Sequence, residues 1–422
     1  MTVSAFSLAR SSDSFLPKRF ILVFLLATIP LLAAASCGAE DGVGAGAILQ
    51  SGVDARALGM GGAFVAVADN YSATYWNPAG IARAAGARFG GMHTDKFGVG
   101  LNFNFLAGGA SLSAIPSLGS AGPREEKEED SFSLEDLSPL PLTGEGAQTE
   151  SLQAETPSEE TERSELREEE KAAGNEAGGT ASQTKTSPGP GWRNWLGNFS
   201  LAGSYLSFST EVRATDPDGN PVGVITYSER AYLGTLGLRL PAVGLIGGSL
   251  RNYRFKAPNA GLEGENATAN GLGFDMGLMA EPLEGLWLGA AGFDVGGTNV
   301  SWKNTPTEPT DLAPAHYSVG ASYGLELEKL DELLPGELLL AGQYDFGSLV
   351  TNEFRLGLEY DLFIFSVRGG GVKPNGSSPY FTAGAGIGFN NVKVDAAWIQ
   401  NTSFEEAEDI SDTIILSAEF SF

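Results

Sequence analysis

Residues 412–422 read DTIILSAEFSF. From Ile414 every second residue is apolar (Ile414, Leu416, Ala418, Phe420, Phe422), with Ser417, Glu419 and Ser421 between them. A period of two with one apolar and one polar face marks a β-strand. The same alternation recurs upstream. Val99, Leu101, Phe103 and Phe105 stand against Asn102 and Asn104; Leu272, Phe274, Met276 and Leu278 against Gly273, Asp275 and Gly277. Phe354, Leu356, Leu358 and Tyr360 stand against Arg355, Gly357 and Glu359; Val392, Val394, Ala396 and Trp398 against Lys393 and Asp395. These segments run to about ten residues, the length a tilted strand needs to cross a bilayer, whereas a typical soluble strand has about five or six.

Strands are expected at 86–94, 97–107, 197–213, 224–240, 243–255, 270–281, 285–297, 315–324, 337–346, 353–360, 363–372, 380–389, 391–400 and 412–422. The links between them alternate in length. Short ones fall at Pro241–Ala242, Glu281–Gly285, Tyr360–Leu362 and Asn390–Asn391, and longer ones at 256–269, 298–314, 373–379 and 401–411. Short turns at one end, long loops at the other and aromatics at strand ends (Tyr253, Trp287, Trp302, Tyr380, Trp398) are outer-membrane features. In hydrocarbon every backbone polar group needs a partner within the protein, so such strands must close. The expected fold is all-β: a transmembrane antiparallel β-barrel of about 14 strands, with both barrel ends on the periplasmic side. Phe422, with Phe420, resembles the terminal aromatic signal read by the barrel assembly machinery.

The chain has 422 residues, 57 glycines and a net charge of −26. No basic patch is available to neutralise phosphates, which argues against nucleic acid. At the N-terminus Lys18 and Arg19 precede an apolar run, Phe20 to Ala35, and small residues follow; residues 1–37 read as a secretory signal peptide. The order Ala34, Ala35, Ser36, Cys37 resembles a lipobox, which would make Cys37 a lipidated N-terminus; ordinary cleavage near Ala35 or Ala39 is the alternative. Residues 116–190 carry eighteen acids against six bases. They read as a disordered, self-repelling insertion that parity places on the periplasmic side between the second and third strands.

Residues 41–85 are rich in Gly and Ala and do not alternate. Within them 56–80 reads RALGMGGAFVAVADNYSATYWNPAG. The glycines permit close backbone approach, and Asn77-Pro78 starts a turn from which Pro78 can open a short helix. A segment this apolar must pack on something, and a barrel lumen is available. Arg56, Gly59, Gly61, Gly62, Asp69, Ser72, Ala73, Asn77, Pro78, Ala79 and Gly80 match the N-terminal signature of the FadL-like outer-membrane transport family, and most closely resemble its PorV/PorQ branch. The segments RLGLEY (355–360), VRGGG (367–371) and FTAGAGIGF (381–389) are similar to that branch as well. The resemblance implies a plug at 41–85 inside a fourteen-stranded barrel over 86–422. It implies either a plugged channel for hydrophobic small molecules such as long-chain fatty acids, or a non-transporting scaffold or shuttle for secreted proteins in a type IX-like secretion system. The acidic insertion is a departure from the pattern that carries the resemblance.

Other candidates fall away. GMGG lacks the strand, helix and Lys-Ser/Thr of a phosphate cradle. His93 and His316 sit on separate strands without a Cys partner, so no zinc site is expected. Asp216-Pro217-Asp218-Gly219-Asn220 lacks the closing Glu of a calcium loop and reads as a turn. No catalytic set and no cofactor motif is evident. The polar parity carries Arg239, Asp275, Arg355, Glu359, Arg368, Lys393, Asp395 and Glu419. These are expected to face the lumen as a polar network that grips the plug, or as a ligand or gating site.

Overall fold

The computed structural model describes residues 51–83, 86–112, 198–215, 220–241, 243–329, 335–347, 352–401 and 411–422. The expected signal peptide with Cys37, the acidic insertion and the turn at 216–219 lie outside the described residues.

The strands are β1 (Ala87–Lys96), β2 (Leu101–Ser111), β3 (Phe199–Thr215), β4 (Pro221–Leu240), β5 (Gly244–Ala257), β6 (Ala267–Leu283) and β7 (Leu286–Phe293). After a hairpin of β8 (Thr298–Lys303) and β9 (Thr310–Ala313) come β10 (His316–Glu326), β11 (Glu337–Gly347), β12 (Glu353–Leu362) and β13 (Phe365–Pro374). The last three are β14 (Tyr380–Phe389), β15 (Val392–Ile399) and β16 (Thr413–Ser421). Leaving out the hairpin, each strand pairs antiparallel with its sequence neighbours, and β1 pairs with β16, so the sheet closes into a fourteen-stranded barrel. Phe422 completes the seam: its N–H donates to Ala87 O (2.8 Å) and its carbonyl accepts from Ala87 N (3.1 Å). A ten-residue strand is about 34 Å long, and tilted near 45° it rises about 24 Å, the height of the apolar band of an outer-membrane barrel.

The sequence-based strands match the barrel strands in number and order, but the second, expected at 97–107, lies at Leu101–Ser111 with Val99 in the turn before it, and the seventh, expected at 285–297, ends at Phe293. Three further differences stand out. The long connection at 298–314 is not open loop: β8 and β9 form within it, and β8 pairs with β6 at Thr268–Asn270 while β10 pairs directly with β7. The short turn placed at Tyr360–Leu362 lies at Phe363–Ile364, where Phe363 takes φ 53°. In β2 the apolar parity faces inward: Phe103 and Phe105 are buried while Leu106, on the same parity as Asn104, is 47% exposed. An inward apolar face is stable here because what it meets inside is apolar as well.

That interior partner is residues 51–83. They form α1 (Ala55–Gly59), α2 (Ala73–Trp76) and a 3₁₀ turn (Pro78–Ala82), almost wholly buried inside the wall. The wall receives them on glycines. A methyl group on Gly247, Gly277, Gly289 or Gly370 would overlap plug atoms at Pro78, Asn77, Val65 and Gly61 respectively. These glycines fall in opposed pairs, Gly247 with Gly277, Gly289 with Gly320 and Gly357 with Gly370. Much of the high glycine content of the strands is thus the footprint of the plug. The other parity faces out and is apolar, with Leu272 67%, Ile414 64% and Phe381 59% exposed. Among the described residues no helix is long and apolar enough to cross a membrane.

Candidate functional site

Asp54 organises the plug. It precedes α1 as its N-cap, at φ 74°, and its carboxylate accepts from Arg56 N (3.2 Å). The same carboxylate accepts from Asn70 Nδ2 (2.6 Å), Ser72 Oγ (3.0 Å) and Ser417 Oγ of β16 (3.1 Å). Sequence reasoning missed Asp54; the signal was an Asp directly before a short helical run, the ordinary N-cap pattern. Asn77 caps the 3₁₀ turn by accepting from Ala79 N (3.1 Å). Its amide donates to Val65 O (2.8 Å) and to Leu278 O of β6 (3.1 Å), so one side chain ties two plug segments to the wall. Pro78 occupies the first position of that turn, where a missing N–H costs nothing.

The motif charges meet wall charges. Arg56 Nη1 pairs with Asp69 (2.5 Å), while Nε and Nη2 grip Glu359 of β12 (2.8 and 2.7 Å). Glu359 also accepts from Arg368 Nε of β13, and Arg368 Nη1 reaches Asp395 of β15 (2.7 Å). The result is a continuous chain, Asp69–Arg56–Glu359–Arg368–Asp395, running from plug into wall. Burial alone would lift the Asp69 carboxyl; the positive charges of Arg56 and Arg83 outweigh it and hold it below the ordinary carboxylate range.

A second set holds the Gly59–Val65 turn. Arg355 donates to Gly61 O (3.0 Å) while pairing with Asp345 (2.5 Å) and Glu353 (2.6 Å). Gln343 Oε1 accepts from Phe64 N (2.9 Å) and Val65 N (2.8 Å), and Thr382 Oγ1 accepts from Gly61 N (2.9 Å) and donates to Gly59 O (3.0 Å). Outside the same strands the wall bears a concavity of ≈ 660 Å³ above Gly342, Gly369 and Gly371, between Leu340, Leu356 and Phe381. The wall there is glycine on both faces. A methyl on Gly62, in turn, would strike the Arg355 guanidinium and crowd Trp76, and one on Gly80 would strike Ala68.

The remaining charges go elsewhere. Arg239 donates to Ala82 O at the end of the plug (3.0 Å). Asp275 pairs with Arg251 (2.7 Å) and accepts from Asp294 N (2.9 Å). Asp294 in turn accepts from Tyr253 OH (2.6 Å) and Thr298 Oγ1 (2.7 Å), holding the 294–300 connection against the inner face of β6. The register sets Lys393 opposite Glu419, but the ion pair of Glu419 is with Arg88 (2.9 Å), and Lys393 has no hydrogen bond or ion pair among the described residues. No group of His, Cys, Asp and Glu suited to a metal is found among them either.

Between the plug and the long-loop end the inner wall is aromatic. Tyr75 of the plug meets Phe105 edge-on (6.5 Å between centroids), Phe103 lies on Phe208 (4.7 Å) and Phe208 meets Tyr227 (6.4 Å). Further round the same side of the sheet Tyr253 and Phe255 of β5 and Trp302 of β8 continue the lining, with the buried carboxylate of Glu229 between Phe208 and Phe255 in the register. Lys96 is the cation at its edge, with Nζ 5.3 Å from the Phe103 ring centroid.

No model of a known protein family matches the chain, and no curated protein sequence matches it. Solved structures do. The chain is similar to a Pseudomonas aeruginosa FadL homologue at 10% identity and TM-score 0.43, covering 88% of this chain and 98% of that one. It is similar to the Pseudomonas putida toluene transporter TodX at 10% identity and TM-score 0.46, covering 88% and 99%. It is also similar to the CymD monoaromatic hydrocarbon channel at 10% identity and TM-score 0.44, covering 91% and 99%.

Proposed function

We propose that the chain is an outer-membrane channel of a Gram-negative-type bacterium for hydrophobic small molecules, closed by residues 51–83 and opened by rearrangement of that plug. The observation that carries this reading is the predominantly aromatic inner wall, in two sets, Phe105, Phe103, Phe208 and Tyr227 on β2–β4 and Tyr253, Phe255 and Trp302 on β5 and β8. A water-filled porin has a polar lumen. An apolar lining on the way to a plug favours apolar solutes and excludes hydrated ions. Lys96 at the margin of the lining suits an amphiphile with a terminal carboxylate, which makes long-chain fatty acids the first class to test. The plug is held by hydrogen bonds and ion pairs rather than by covalent links, so a solute that competes for its contacts shifts it by differential binding.

The scaffold alternative rests on the sequence resemblance to the PorV/PorQ branch, and no feature of the described connections favours it. The outer-membrane lipid around the wall and the barrel assembly machinery acting on Phe420 and Phe422 complete the expected partners. The deciding experiment is purification from detergent-solubilised outer membrane, with lipid extraction of the same sample. Bound fatty acid or hydrocarbon without a protein partner is the expected result. A stable protein partner with a lipid-free lumen would overturn the channel reading.

A further inference from the structure

On the outer surface of β2–β6 the apolar face stops along a sharp line. Successive outward rows are fixed by the pairing. One row runs Gly203, Gly234, Leu250, Phe274; the next, about 7 Å further along the strands, runs Tyr205, Tyr232, Asn252, Leu272. The row beyond that runs Asn104, Ser207, Arg230, Arg254, Asn270, and Lys256 follows opposite Ser228. Arg230, Arg254 and Lys256 are all exposed, and none has an ion pair among the described residues. Arg230 and Arg254 stand directly opposite each other on neighbouring strands. Like charges in that position repel. In a chain of net charge −26 this is a local excess of cations, and the two rows that carry it hold no acid on β3–β6.

The cluster is also oriented. Tyr232 lies against Tyr205 (5.2 Å between centroids), and the Arg254 guanidinium sits over the Tyr232 ring (5.8 Å). Asn252 Oδ1 accepts from Arg254 Nε (3.1 Å), which leaves the terminal guanidinium nitrogens for an outside acceptor. Guanidinium forks bind phosphate oxygens in pairs, and a tyrosine row below them is what a wall presents at headgroup level. We propose that Arg230, Arg254 and Lys256 form a binding site for the phosphate groups of an anionic lipid headgroup in the outer leaflet, whose acyl chains lie on Tyr232, Leu250 and Leu272. The adjoining apolar rows select a lipid over a free anion, because acyl chains cover surface that inorganic phosphate leaves exposed to water.

The test is native mass spectrometry of the full chain in non-ionic detergent, titrated with bisphosphorylated lipid A, with its dephosphorylated form and with inorganic phosphate. The wild type is expected to prefer the bisphosphorylated lipid over the dephosphorylated one by roughly tenfold or more. The R230Q/R254Q/K256Q variant is expected to lose that preference, and the exposed control K303Q to keep it. Heat-modifiable migration on gels verifies the barrel; should the triple variant fail to assemble, R254Q alone is expected to weaken the preference by roughly threefold or more. A preference retained by the assembled variants, an equal loss in K303Q, or equal binding of inorganic phosphate overturns the proposal.

Discussion

Arg56 of the plug and Glu359 of β12, 303 residues apart in sequence, are joined by a forked ion pair of 2.7 and 2.8 Å in which Glu359 is only 1% exposed. Neutralising Glu359 leaves Arg56 with Asp69 alone and Arg368 with Asp395 alone, so the cost stays below the about 3–5 kcal/mol of a fully unpaired buried charge. Glu359→Gln is therefore expected to loosen the plug while the barrel stays closed. Amide hydrogen exchange over residues 51–83 should accelerate, and solute leak should rise. Unchanged exchange there would show that the pair does not hold the plug.

A side chain on the plug-facing glycines should act from the wall side. Gly370→Val places methyl groups against Gly61 and Met60, and overpacking of this kind costs about 1–3 kcal/mol. The barrel should still migrate as a folded, heat-modifiable species, with the plug displaced and permeability to hydrophobic dyes increased. Gly369→Val, on the outer face of the same strand, has open space at its Cβ and should leave permeability unchanged.

Asp54→Ala removes the α1 N-cap and the shared acceptor of Asn70, Ser72 and Ser417. The lost cap alone is worth about 0.5–2 kcal/mol, and the stranded donors add to it. Protease sensitivity within the plug is the readout, with greater cleavage expected in the variant than in wild type.

The Asp69 carboxyl is held low by Arg56 and Arg83 against the opposing effect of burial. A carboxylate depressed in the folded state stabilises it fully above its unfolded value near 3.9, and the contribution disappears as pH falls through the depressed value. Plug protection measured by hydrogen exchange should thus be insensitive to Asp69 between about pH 5 and 8 and weaken in stronger acid. Asp69→Asn should remove that acid limb and lower protection at neutral pH.

Deleting Phe422 removes two backbone hydrogen bonds with Ala87 at the β1–β16 seam, together with the terminal aromatic. Outer-membrane levels of the truncated chain are expected to fall. Normal levels would exclude a role for this residue in assembly.

The strand count was legible from local alternation, because a period of two and a ten-residue length are properties of each segment alone. So was the plug: a Gly/Ala-rich stretch without alternation, ending in the Asn-Pro turn, cannot be wall and must pack elsewhere. The sequence placed the eight charges on the polar parity, and Glu359, Arg368 and Asp395 of β12, β13 and β15 are buried on the inner face. Their partners were not legible. Glu419 stands opposite Lys393 but pairs with Arg88, since side-chain reach along the strands outweighs bare register.

By itself, then, the sequence determined a closed antiparallel barrel with an apolar segment to be housed. Tertiary structure alone decided which way β2 faces. Alternation marks two different faces without saying which is inside, and Phe103 and Phe105 turn inward because Tyr71, Tyr75 and Phe208 wait for them there. It alone decided that Arg56 meets Glu359 and that wall glycines trace the plug. Both are contacts between residues hundreds of positions apart, set by ring closure and strand register, and no local pattern records them.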